Sequence, residues 1–90
     1  MKIFVTGGCG FIGSNFVIEQ INRGNKILNF DKLTYAANQN NLLEINQNFN
    51  YTFLKGDITD SEKLSSAIKE FNPNIIINFA AESHVDRSID

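Results

Sequence analysis

Three glycines set three apart, Gly7, Gly10 and Gly13, lie in the segment Thr6-Gly7-Gly8-Cys9-Gly10-Phe11-Ile12-Gly13, directly after the apolar run Lys2-Ile3-Phe4-Val5. Gly7 permits a tight turn, Gly10 lets backbone approach a pyrophosphate, and Gly13 lets the ensuing helix pack closely on the strand. A helix starting there offers N–H groups and the positive end of its dipole to phosphates. A dinucleotide fingerprint needs strand, glycine turn, helix and then an acid at the end of the next strand. That acid is Asp31, eighteen residues beyond Gly13. Its carboxylate can accept hydrogen bonds from adenosine ribose hydroxyls and repels a 2′-phosphate, so NAD is expected over NADP. Lys32 beside it would offset part of that repulsion. After the third strand, Asp57 and Ile58 can bracket an adenine, the carboxylate on its amino group and the isoleucine on its face. Taken alone, Asp57 reads equally well as a solvated turn residue.

Other reactive side chains carry less. Tyr51 and Lys55 have the Tyr-x-x-x-Lys spacing of a proton-transfer pair, but they fall on a strand, where four residues span about 13 Å. Only a helical turn brings i and i+4 together, so cross-strand packing is the expectation for Tyr51. Cys9 lies near a helix start, where thiolates are stabilised, yet it reads as a small side chain filling space. His84 has no ligand cluster around it, so no metal site is expected. Glu82 either orients its loop or faces water, and helix capping suffices to explain Ser83.

The elements that must position these groups alternate regularly. A helix is predicted from Phe11 to Asn22 with Val17, Ile18 and Ile21 as its apolar stripe and Gly24 closing it. Ile27 to Phe30 form a second strand ending at Asp31, a short helix is expected around Leu42 to Ile45, and Tyr51 to Leu54 form a third strand. Thr59 and Glu62 have capping-box spacing ahead of Leu64, Ala67, Ile68 and Phe71 at i, i+3, i+4, i+7. After Pro73, Ile75 to Phe79 is a continuous apolar run of the kind covered on both faces. Ser83 and Asp86 look like the start of a further helix. Right-handed parallel crossovers then give an α/β, Rossmann-type sheet in the order 3-2-1-4 with helices on both faces. Its winding reverses between strands 1 and 4, which puts the glycine turn and Ala80-Ala81-Glu82-Ser83-His84 on opposite sides of one crevice.

Ninety residues make one small domain. A net charge of −2 argues against nucleic acid or an anionic membrane as partner. No apolar run approaches the roughly 20 residues of a bilayer span, and no basic-then-apolar leader is visible. The single cysteine fits a reducing, cytoplasmic setting.

The glycine turn, Asp31 and Gly56-Asp57-Ile58 together resemble the extended short-chain dehydrogenase/reductases. Asp31-Lys32-Leu33-Thr34-Tyr35-Ala36 and Ala80-Ala81-Glu82-Ser83-His84-Val85-Asp86-Arg87-Ser88-Ile89 are similar to stretches of the dTDP-glucose 4,6-dehydratases. The resemblance covers the whole chain but about the first quarter of such an enzyme, so residues 1–90 are expected to be an incomplete NAD-binding portion. It implies a reaction without net redox change on a nucleotide-sugar substrate. Hydride leaves carbon 4 of the glucosyl ring for NAD, water is eliminated across carbons 5 and 6, and hydride returns to carbon 6. It places Phe11, Ile12, Asp31, Lys32, Leu33, Thr34, Asp57, Ile58, Phe79, Ala80, Ala81, Glu82 and Ser83 around NAD, and Ser83, His84 and Arg87 toward the sugar nucleotide. It also implies a homodimer for the complete enzyme. The family's helical Tyr-x-x-x-Lys and its Asp-Glu acid/base pair are not in this chain, so the chain alone is expected to be inactive. An NAD-dependent nucleotide-sugar epimerase and a non-catalytic dinucleotide-binding module are the alternatives.

Overall fold

The computed structural model describes residues 1–32, 42, 45 and 47–79. In chain order these form β1 (Lys2–Thr6), α1 (Phe11–Asn22), β2 (Lys26–Asp31), β3 (Tyr51–Lys55), α2 (Ser61–Phe71) and β4 (Ile75–Asn78). Every pairing is parallel, in the sheet order β3-β2-β1-β4. This is the Rossmann-type arrangement expected from alternating strands and helices. Thr6 stands level with Phe30 on one side and Asn78 on the other, so β1, β2 and β4 finish at one edge.

Side chains alternate across the strands and divide the core in two. Ile3, Val5 and Ile27 face α1 and join Cys9, Val17, Ile21, Leu42, Ile45 and Tyr51. Phe4, Leu28 and Phe30 face α2 and meet Ala67, with Leu64, Ile68 and Phe71 closing the margin. The stripe expected on each helix is therefore the face it buries. Beyond α1, Arg23 retains helical geometry and Gly24 adopts φ +89°, the left-handed close that glycine takes without strain.

Two expectations need correction. The N-cap of α2 is Asp60, one residue later than the Thr59–Glu62 spacing suggests, with its Oδ1 accepting from Lys63 N at 3.2 Å. Thr59 is turned the other way: its N–H and hydroxyl both donate to Asp57 Oδ1, at 3.0 and 2.9 Å. With Thr59 already engaged by Asp57, the carboxylate of Asp60 takes the cap. Nor is β4 covered on both faces. Among the described residues it pairs only with β1, and Ile75 and Ile76 remain 40% and 53% exposed. The short helix expected around Leu42 to Ile45 and the one starting at Ser83 fall largely or wholly outside the described residues; Leu42 and Ile45 themselves are buried under α1.

Candidate functional site

At the carboxyl edge of the sheet the chain must reverse from β1 into α1, and it does so through Gly7 at φ +76°. The first three N–H groups of the turn all go to β2. Gly7 N donates to the Phe30 carbonyl at 3.1 Å, Gly8 N to Asn29 Oδ1 at 2.9 Å, and Cys9 N to Asp31 Oδ2 at 2.9 Å. Three successive residues of one strand thus hold three successive residues of the turn. Gly10 N reaches back to Gly7 O at 3.4 Å, and Gly10 O accepts Ser14 N at 2.8 Å as α1 begins.

The start of α1 has features that suit an anion. Helix N-termini carry N–H groups that a capping side chain or a nearby acid ordinarily satisfies. Here the N-cap is Gly10, no side chain caps the helix, and its first turn has no acidic residue. Among the described residues no side chain caps these backbone donors, and with the positive dipole end they suit an anion. Gly13 keeps that cradle low. A Cβ at Gly13 would lie 2.7 Å from Gly7 O and 3.0 Å from Gly8 Cα. Its close approach is to the turn's own backbone rather than to the strand, the contact expected from sequence. These residues fit a phosphate-bearing cofactor.

Asp31 sits at the junction, 6% exposed, with its carbonyl accepting Gly56 N at 3.0 Å while its carboxylate holds Cys9 N. The residue expected to read a ribose therefore also anchors the glycine turn. Lys32, expected to soften repulsion at Asp31, lies 3.7 Å from Asp57 instead, in an exposed pair. The Asp57 carboxyl is held below the usual carboxylate range, chiefly by the Thr59 N–H, then by the Thr59 hydroxyl, with Lys32 contributing less. Ile58 and Ile12 are 37% and 59% exposed. Phe79 packs on Phe16 with ring centroids 5.5 Å apart, and its N–H bonds Thr6 O at 2.6 Å. Thr6 Oγ1 also donates to Asn78 Oδ1 at 2.6 Å, which ties the end of β4 to the strand carrying the turn.

Gly7, Gly10, Gly13 and Asp31 are thus brought together, Lys32 and Asp57 pair beside them, and Phe79 backs α1. The side chain of Phe11, and Leu33, Thr34, Ala80, Ala81, Glu82, Ser83, His84 and Arg87, lie outside the described residues. Tyr51 and Lys55 stand at opposite ends of β3, level with Ile27 and Asp31. The Tyr51 hydroxyl accepts from Asn29 Nδ2 at 3.1 Å, and burial pushes it up to about 12. Cys9 is wholly buried, and burial first, then the charge of Asp31, raises its thiol to about 12. Among the described residues no cluster of three or more His, Cys, Asp or Glu could hold a metal.

Sequence reasoning passed over Asn29 and Gly8. A Cβ at Gly8 would lie 2.6 Å from Asn29 Oδ1, so a larger residue there would push against a side chain of the neighbouring strand. The available signal was a lone polar residue inside Ile27-Leu28-Asn29-Phe30, two positions before Asp31 and so on the same face.

Residues 4–90 match the GDP-mannose 4,6 dehydratase family. The chain is 51% identical over 86 residues to a dTDP-glucose 4,6-dehydratase of Xanthomonas campestris pv. campestris, a match covering 96% of this chain and 24% of that protein. The crystal structure of dTDP-glucose 4,6-dehydratase from Bacillus anthracis in complex with NAD superposes with TM-score 0.86 at 52% identity, over 92% of this chain and 27% of that one. UDP-glucose 4-epimerase of Thermotoga maritima aligns at TM-score 0.79 and 32% identity, over 92% of this chain and 25% of that one. The chain spans about a quarter of the length of the relatives it matches.

Proposed function

The chain belongs to the GDP-mannose 4,6 dehydratase family, and we propose that it is the NAD-binding part of a dehydratase acting on dTDP-glucose. The observation that carries the cofactor reading is the glycine turn: its first three N–H groups are fixed to β2, and the helix after it starts with no capping side chain and no acid. The backbone of Gly10 to Gly13 receives the pyrophosphate. Asp31 accepts from the adenosine ribose, and Asp57 with Ile58 flanks the adenine. NAD is preferred to NADP because Asp31 is acidic and its basic neighbour is drawn to Asp57. Leu33, Thr34 and Phe79 to Ser83 complete the cofactor's surroundings, and Ser83, His84 and Arg87 reach toward the nucleotide sugar.

When bound, NAD supplies reversible hydride acceptance at the sugar. This chain's residues orient that cofactor and hold it through a reaction that leaves it unchanged overall. The substrate reading rests on similarity to dTDP-glucose dehydratases, which exceeds that to the epimerase. We place the protein in the cytoplasm and the complete enzyme as a homodimer. Incubation of the intact protein with NAD and dTDP-glucose should yield the 4-keto-6-deoxy product. Inversion at carbon 4 without loss of water would instead make it an epimerase, and cofactor binding without turnover would make it a binding module.

A further inference from the structure

We infer that Asn29 is the positioning residue of the phosphate-binding turn, setting cofactor affinity without touching the cofactor. The inference rests on the cofactor reading above. Asn29 is completely buried on β2, beside the apolar cluster that contains Ile27, Val5 and Val17. A buried amide is costly unless its polar atoms are paired, and this one is paired on both ends. Its Oδ1 accepts Gly8 N at 2.9 Å, and its Nδ2 donates to Cys9 Sγ at 3.3 Å and Tyr51 Oη at 3.1 Å. Because Gly8 N is only a donor, the orientation of the amide is fixed by its partners.

The network runs one way, from core to site. Tyr51, at the far end of β3, braces Asn29; Asn29 grips Gly8; and Gly8 lies between Gly7, where the chain reverses, and Cys9, held by Asp31. The thiol and the phenol both titrate near 12, so the brace keeps one protonation state at physiological pH. An apolar side chain at position 29 would fill the core equally well but leave the Gly8 N–H buried with no acceptor from β2. The turn must then shift to satisfy it, and the backbone cradle shifts with it.

The test uses the intact protein and two readouts: amide hydrogen exchange at Gly8 without cofactor, and NAD affinity by calorimetry. Asn29→Leu should speed Gly8 exchange and weaken NAD binding, each about tenfold, the scale of one buried hydrogen bond. Asn29→Asp retains an acceptor for Gly8 and should restore the protection. Ile27→Ala, on the same strand but remote from the turn, should lower the melting temperature while leaving NAD affinity unchanged. Unchanged affinity in a folded Asn29→Leu protein, or an equal loss in Ile27→Ala, overturns the inference. If Asn29→Leu does not fold, Tyr51→Phe decides: faster Gly8 exchange with about twofold weaker NAD supports the brace, and wild-type values for both overturn it. Failure of the wild-type protein to bind NAD would sink the cofactor reading and with it the role of Asn29 in affinity, whereas normal NAD binding with unchanged Gly8 exchange in Asn29→Leu would overturn the inference and leave the cofactor reading standing.

Discussion

The two faces of β2 are made by alternate residues of one strand, yet they do different work. Leu28 and Phe30 point toward α2 into a wholly apolar cluster with Phe4 and Ala67. Ile27, Asn29 and Asp31 point toward α1, where apolar packing gives way along the strand to an amide and then a carboxylate that grip the glycine turn. One face supplies stability by area. The other uses some of its area for direction, because polar atoms buried there must each find a particular partner. Damage to the first face should lower stability without selectivity, whereas damage to the second should alter ligand binding out of proportion to stability.

The largest expected effect tests the α2 face. Phe30 is fully buried, its ring lies 6.0 Å from that of Phe4, and a Cβ at Gly56 would come within 2.5 Å of it. Phe30→Ala should cost about 3–5 kcal/mol of stability, read by denaturant unfolding. Where the variant stays folded, its preference for NAD over NADP should persist. A changed preference would erase the division between the faces.

On the α1 face, Gly13→Ala puts a methyl group 2.7 Å from a backbone oxygen that has no flexible side chain to yield. We expect a loss of about 1–3 kcal/mol from overpacking, with NAD binding falling by more than stability does. Calorimetric titration beside a melting curve separates the two. Asp31 comes next. Asp31→Ala removes both the charge and the anchor of Cys9 N, and should weaken NAD by about 1–3 kcal/mol; Asp31→Asn keeps an acceptor and should cost about 1 kcal/mol. NADP should lose less than NAD in both variants. Equal losses in Asp31→Asn would mean that Asp31 serves the turn and not the ribose.

This contrast between faces also explains what was legible in the sequence. Apolar periodicity and glycine spacing are local signals, and among the described residues they located two helices and four strands; the order of the sheet followed from the crossover rule for parallel strands. The Tyr51–Lys55 pair does lie on a strand, as its sequence indicated, and strand geometry separates its members. Asn29 was passed over because its meaning depends on a turn some twenty residues earlier and a phenol some twenty residues later, and no local rule links them. The Thr59 cap went astray for a similar reason: spacing cannot show that Asp57 has already claimed the threonine. The exposed β4 reflects a different limit, since an apolar run reports the burial a strand calls for and not which segment provides it.

Alkaline pH probes the polar face from below. Burial raises Cys9 from its ordinary 9.0 to about 12 and Tyr51 from 10.0 to about 12. Between those limits the unfolded chain releases protons that the folded chain keeps, so unfolding is favoured as pH rises. Stability should be full below pH 9.0 and fall progressively toward pH 12. Cys9→Ala should remove the earlier part of that fall and Tyr51→Phe the later part. A stability curve flat through this range would show that neither group is as enclosed as the geometry indicates.

The smallest effect is expected where the site meets solvent. Lys32 and Asp57 face each other at 3.7 Å with side chains 55% and 42% exposed, and solvent-exposed pairs of this kind contribute little to stability. Asp57 owes its lowered carboxyl more to Thr59 than to Lys32, so removing the lysine leaves the carboxylate ionised and its loop tied. Lys32→Met should therefore change stability by less than about 0.5 kcal/mol, the range of ordinary surface substitutions. It should also leave the NAD preference intact if, as proposed, Asp31 provides the discrimination. The decisive measurement is NADP affinity in this variant across salt concentrations. A clear drop in NADP binding, strongest at low salt, would show that Lys32 leaves Asp57 to receive a 2′-phosphate, and the polar face would then accept both cofactors.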